Sequence, residues 1–292
     1  MRALTYTLCV ATALLLAGSA AAGTKPKLGT DAGSIDLTSL AADAVPYGDG
    51  YAIPLAADTP SWLTPEYEFA VRSRPGQPVA APADAPLPSE VGIRPGSWML
   101  LPYGCTMNFV FASGSTLGIG TAGHCADGLG DKVTLLTLAP SGANPVLVEI
   151  GTVVKYRNNG VGDDFALVEI YPSLYSWVFP TMALVGGPCG AFTGSGIQTV
   201  FHSGHGLAIG TGGTPRAGVA TTWQADAFGW DSPAIFGDSG SAVRIGTLPA
   251  AGDLTHLVVD TKWLPSFVAG TRISKMLAIT GGWSLVSSPV CV

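Results

Sequence analysis

Charge is scarce in this chain. Only 12% of its 292 residues are charged, with 14 Lys and Arg against 20 Asp and Glu. The net charge is −6, and no basic cluster or basic amphipathic stretch occurs. That excludes the electrostatic footprint of a nucleic-acid binder and of a membrane-surface helix. Long apolar runs are missing beyond the leader, so no later segment reads as a membrane span. Histidine is rare, at four residues. The close pair in His202-Ser203-Gly204-His205 has no acidic or thiol ligand near it in sequence, so it reads as a loop or strand end. No metal and no cofactor is expected. Cysteine is also sparse, at five residues.

What the chain does have is apolar residues and turn formers. Hydrophobic residues make up 47%, enough to bury a core and too many for a wholly disordered chain. With 39 Gly and 22 Pro, turns are frequent, which favours many short strands over long helices.

Residues 1–22 read as a secretory signal. Arg2 is the basic start, Leu8 to Ala17 is an apolar run, and Ser19-Ala20-Ala21-Ala22-Gly23 offers a cleavage site after Ala22. A membrane anchor is the other reading of this stretch. Cys9 belongs to the leader, leaving Cys105, Cys125, Cys189 and Cys291, an even number that suits an exported, oxidised protein. Residues 23–90 are rich in Ala, Pro, Asp and Gly, with prolines dense from Pro75 to Pro88. They read as a propeptide or N-terminal extension, with a plain linker as the alternative.

From Trp98 onward, β-type runs dominate: Met107–Ala112, Leu117–Ala122, Val133–Leu138, Val146–Val154 and Phe165–Ile170. Ser113-Gly114-Ser115 marks a hairpin. Residues 172–180, with Pro172 and Pro180, read as a connection between two halves. The second half continues with Ala183–Val185, Ile197–His202, Val219–Trp223, Ser241–Ile245 and Leu257–Asp260. Ile273–Ile279 has helical spacing. An all-β chain follows, divided at 91–175 and 176–292; strand counting alone also allows a single sandwich.

The chemistry concentrates in Phe236-Gly237-Asp238-Ser239-Gly240-Ser241. A Ser between small, turn-prone residues is presented on a tight bend. If the N–H groups of Gly237 and Ser239 point the same way, they form a pocket for an oxyanion. A hydroxyl needs a base to become a nucleophile, and the base needs an orienting partner. His124 in Thr121-Ala122-Gly123-His124-Cys125 and Asp164 in Asp164-Phe165-Ala166-Leu167-Val168 are the candidates. Asp163 competes with Asp164.

These three motifs, in the order His, Asp, Ser, resemble the chymotrypsin/trypsin-like serine protease family, above all its secreted bacterial branch. The resemblance covers roughly residues 95–292. It implies two six-stranded antiparallel β-barrels with a short C-terminal helix, and a triad of His124, Asp164 and Ser239. It selects Asp164 over Asp163, since the family's Asp directly precedes the apolar run. It also implies a Cys105–Cys125 disulfide beside the base, which leaves Cys189 and Cys291 for each other; two free thiols are the alternative. The implied protein is a secreted, extracellular, monomeric endopeptidase acting on protein or peptide substrates. A binding or adhesion protein without turnover, and an esterase using the same triad, are the alternatives.

The chain also departs from the family pattern. Ser241 stands where the family has Gly. Pro233 stands where primary specificity is often set, with Asp231 two residues away. No family-type Ser-Trp-Gly occurs along Leu257–Trp263, the expected edge of the substrate channel. No Arg/Lys-Ile-Val-Gly-Gly activation sequence occurs, so Asp238 needs a partner other than a freed N-terminus; Arg94, Arg216 and Arg244 are all open.

Overall fold

The computed structural model describes residues 43–142, 144–182, 186–206, 215–246, 249–289 and 291. The leader and the run Ala183–Val185 lie outside those residues. Among the described residues, no helix is long and apolar enough to cross a membrane.

Alternating apolar residues between Gly- and Asn-bearing turns give strands, as the pattern predicts. In chain order, β1 (Val45–Tyr47) and β2 (Gly50–Pro54) are followed by helix α1 (Pro65–Arg72) and β3 (Val79–Ala80). Next come β4 (Trp98–Leu101), β5 (Cys105–Thr106), β6 (Val110–Ser113), β7 (Thr116–Thr121), β8 (Lys132–Leu138), β9 (Pro145–Asn158) and β10 (Asp164–Ile170). The second half holds β11 (Gln198–Ser203), β12 (Pro215–Trp223), β13 (Ala227–Asp231), β14 (Ala242–Ile245), β15 (Ala250–Asp253), β16 (His256–Val259) and β17 (Pro265–Thr271). Helix α2 (Ile273–Thr280) and β18 (Ser284–Leu285) complete the order.

Two antiparallel sheets result. One runs β18-β6-β7-β10-β9-β8-β4-β5 with β3 beside β9, and the other runs β1-β2-β16-β17-β13-β12-β11-β14-β15. The first curls back on itself: β5 lies at the far end of the order from β6, yet Thr121 Oγ1 on β7 donates to the Thr106 carbonyl at 2.9 Å. The second closes where Gly252 on β15 bridges to Arg272 at the end of β17. The fold is a trypsin-like double β-barrel. Each sheet carries nine strands where six were expected. The excess comes from the chain's two ends, which lay β1, β2, β3 and β18 on the sheets, and from strands too short to show a period.

Residues 43–90 contribute strands and apolar side chains to both halves. β2 pairs with β16, and β3 pairs with β9. Leu63 and Val71 share the buried cluster of Trp230, Val243 and Leu257. The first barrel has its own core around Met99, Val133, Ile150 and Val168. A third cluster joins Phe109 and Phe165 to Ile273 and Met276 of α2 at the seam. Each such side chain, removed from water, contributes roughly 1.5–3 kcal/mol before the entropy of ordering is set against it.

Polar links also cross the seam. Thr106 of the first sheet donates its N–H to the Ser239 carbonyl at 2.8 Å. Its hydroxyl donates to the Gly237 carbonyl at 2.8 Å. Thr271 of the second sheet donates its hydroxyl to the Asp164 carbonyl at 2.9 Å. All of these atoms are buried, so each link excludes water from the junction it makes.

Candidate active site

His124 sits in a single 3-10 turn, Gly123–Cys125, directly after β7. Two features hold that turn. Cys125 is bonded to Cys105 of β5. At Gly123 a β-carbon would run into the Arg157 carbonyl oxygen, so only Gly allows the turn to lie this close to β9. The turn faces Asp164, the first residue of β10 and fully buried. The His124 backbone N–H donates to Asp164 Oδ1 at 2.9 Å, and His124 Nδ1 lies 2.6 Å from Oδ2. Burial pushes the Asp164 carboxyl up, but His124, with a smaller share from His256, outweighs it and holds the group below its ordinary value. Asp163 turns away to Lys275, 3.3 Å off.

Ser239 lies in the bend between β13 and β14, on the other barrel. Gly237 opens that bend at φ +98°, and a β-carbon there would strike the His205 carbonyl. Ser239 Oγ is 2.6 Å from His124 Nε2. A carboxylate at Nδ1 keeps the proton on that nitrogen, so Nε2 is the acceptor for the serine hydroxyl. The Thr255 carbonyl, 3.0 Å from Oγ, is a competing acceptor for the same single proton. The structure thus brings His124, Asp164 and Ser239 into one hydrogen-bonded chain across the two halves. The Gly237 N–H donates to a carbonyl oxygen, that of Leu55, at 2.7 Å.

Asp238 finds its partner in Arg216, not in Arg94 or Arg244. The guanidinium forks onto the carboxylate, with Nη2 2.5 Å from Oδ1 and Nη1 against Oδ2. Ile235 N–H adds a bond to Oδ2 at 2.8 Å. Burial pushes Asp238 up, and Arg216 outweighs it, holding the carboxyl low. Ser241 turns its hydroxyl onto the Asp238 carbonyl at 2.6 Å, inside the bend, so the added oxygen is satisfied locally. Cys189 and Cys291 are bonded to each other.

The two histidines of His202-Ser203-Gly204-His205 part company. His205 Nε2 meets Glu90 Oε2 at 2.8 Å, with its ring stacked on Trp98. His202 is buried beside Arg216, and neither ring nitrogen has a hydrogen-bond partner among the described residues. Burial drives its imidazole down to about 3.

Sequence reasoning missed His256. It opens β16, lies 3.7 Å from Asp164 Oδ2 through Nδ1, and packs edge-on to the His124 ring at 5.5 Å. Its Nδ1 also meets Thr255 Oγ1 at 2.7 Å. Burial lowers it to about 4, so it stands neutral beside the site at neutral pH. The signal in the sequence is slight: a polar pair, Thr255-His256, opening an apolar strand. Those residues also start the strand edge that was sought at Leu257–Trp263. Asp253 was missed too. Buried near Asp164, it is pushed well above the carboxylate range, first by burial and then by that charge.

No protein-family model and no curated protein matches the chain. Solved structures do. Thermobifida fusca Protease A is 21% identical, with a TM-score of 0.49 over 68% of this chain and 98% of that one. A glutamic acid specific serine protease is 16% identical, with a TM-score of 0.49 over 66% of this chain and 100% of its own. An alpha-lytic protease homolog, N4, is 16% identical, with a TM-score of 0.46 over 65% and 97% of the two chains. What this chain is similar to, at low identity, is the bacterial group of chymotrypsin/trypsin-like serine proteases.

Proposed function

We propose that this chain is a serine endopeptidase that hydrolyses peptide bonds through an acyl-enzyme. One observation carries the reading: His124 lies 2.6 Å from Asp164 Oδ2 and 2.6 Å from Ser239 Oγ, with a backbone N–H of the same bend on a carbonyl oxygen. Ser239 Oγ attacks the carbonyl carbon while His124 Nε2 takes its proton. Asp164 holds the imidazole by Nδ1 and stabilises the imidazolium that forms. Gly237 N–H, assisted by Ser239 N–H, receives the developing oxyanion. His124 then protonates the leaving amine, and water resolves the ester by the reverse route.

Two disulfides in one small fold suit an oxidising compartment, and export of the chain belongs to the same proposal. The test is direct. A fluorophosphonate labels Ser239, and the same preparation cleaves casein. Ser239→Ala abolishes labelling and lowers turnover by roughly 10⁶-fold. An esterase would take the label and leave casein intact; well-folded protein that does neither sinks the reading.

A further inference from the structure

The substrate channel is already occupied by the chain itself. β2 lies antiparallel on β16, with Ile53 opposite Leu257 and Pro54 opposite His256. The residue that follows reaches the reacting groups. Leu55 N–H lies 3.1 Å from the Thr255 carbonyl and 3.0 Å from Ser239 Oγ. Leu55 C=O accepts from Gly237 N–H at 2.7 Å. Two residues on, Ala57 and Gly104 exchange N–H···O bonds of 2.8 Å in both directions. The backbone is thus clamped on both sides of the Leu55–Ala56 bond, upstream by the second barrel and downstream by the first. A strand present only for packing needs neither an oxyanion donor on its carbonyl nor the nucleophile at its amide.

Resting on the endopeptidase reading, we infer that Ser239 cuts its own chain between Leu55 and Ala56, and that the enzyme selects a medium-sized aliphatic residue on the acyl side. Oγ bonds to the Leu55 carbonyl carbon and the C–N bond to Ala56 breaks. The serine proton passes through His124 to the Ala56 amine. Water then releases Leu55 as a carboxylic acid and restores the hydroxyl.

The slot is built for this side chain. Leu55 is 1% exposed and belongs to the cluster of Ile235, Phe236 and Leu254. Asp231, a candidate for a charged pocket, is exposed instead. Residues downstream of the bond belong to the body, since Leu63 and Val71 are buried in it. Upstream, β1 and β2 lie at the edge of the second sheet, joined to its ladder through β16, with Tyr51 stacked on Trp263 and Tyr47 in one apolar cluster with Phe267. Until the cut is made and that piece leaves, a foreign peptide finds the strand edge taken.

The experiment follows the whole chain. Wild-type protein, purified and incubated, is read by N-terminal sequencing and intact mass beside Ser239→Ala. The expected result is a new terminus, Ala56-Ala57-Asp58-Thr59, in the wild type and an intact bond in Ser239→Ala. Processed enzyme is then given a synthetic peptide spanning residues 50–62. It cuts after Leu55, and a peptide carrying Leu55→Asp is cut about 100-fold more slowly, since a carboxylate must enter an apolar slot. A Leu55→Met peptide keeps most of the rate. Protein that labels at Ser239 and cleaves casein, yet keeps Leu55–Ala56 intact or starts elsewhere, overturns self-cleavage and leaves the endopeptidase standing. Equal rates for the Leu and Asp peptides overturn the side-chain selection. Loss of both labelling and casein cleavage is the separate failure of the underlying reading.

Discussion

At the scale of single residues, the buried ionisable groups set how the protein meets acid. His202 has its imidazole driven down to about 3 by burial, against an ordinary 6.5. Between those values the unfolded chain binds a proton there and the folded chain does not. Falling pH therefore favours unfolding, by up to about 1.4 kcal/mol per pH unit for each such histidine. His256, lowered to about 4, adds to the same window. Asp164 and Asp238 act lower down: both are depressed from 3.8, so their contribution persists above that value and is lost as pH falls through their folded values. Asp253, held well above 3.8, pulls the other way by taking up a proton only in the folded chain, but it is one group against two histidines, so the expected outcome is a urea midpoint that still drops from pH 6.5 to 4. His202→Phe, which titrates in neither state, flattens that slope. A variant as steep as the wild type would show that His202 is not the sensor.

At the scale of elements, β5 matters more than its two residues suggest. Cys105 anchors the turn of His124, and Thr106 reaches the bend of Ser239 by its backbone N–H and its hydroxyl. The Thr106 oxygen also accepts the His205 N–H at 2.9 Å. Thr106→Val keeps the shape and strips both hydroxyl bonds, leaving a buried carbonyl and a buried N–H unpaired. A loss of about 1–3 kcal/mol is expected. Because the bonds end on Gly237 and His205, kcat falls while KM changes little; denaturant melts and steady-state kinetics on the same preparation check both. The Cys105–Cys125 bond was expected from the resemblance; the reach of Thr106 was not legible, since Cys105-Thr106 has no period to mark it as a strand. The meeting of His124, Asp164 and Ser239 could be anticipated because each sits in a dense local signature. Arg216 was not separable from Arg94 and Arg244, since its pairing depends on how β11 and β12 bring distant segments together. His256 was hidden for the same reason.

At the scale of the whole molecule, the strands with clear alternation were readable, and the wrapping of the ends was not. The proline-dense stretch read as an appendage, yet its flanks bury Leu63 and Val71. The tail does something comparable: it leaves α2, lends β18 to the first sheet beside β6, and returns to the second half at the Cys189–Cys291 bond. That path straps the two barrels together. Cys189→Ala with Cys291→Ala opens a loop of 102 residues, and about 4–5 kcal/mol of stability is expected to go with it. Thermal melting checks the loss, and activity at low temperature shows whether the barrels still align without the strap.

The paired bonds between Ala57 and Gly104 hold the chain just downstream of Ala56 on the first barrel. A newly made amine at residue 56 would remain tethered beside the acyl group it had just left, at a high effective concentration. While the upstream ribbon is still esterified to Ser239, resealing by that amine would compete with hydrolysis; once water has freed the ribbon, net progress would depend on how quickly it diffuses away. Maturation would behave as a reversible latch, and dilution or a scavenger of the freed ribbon would drive it to completion.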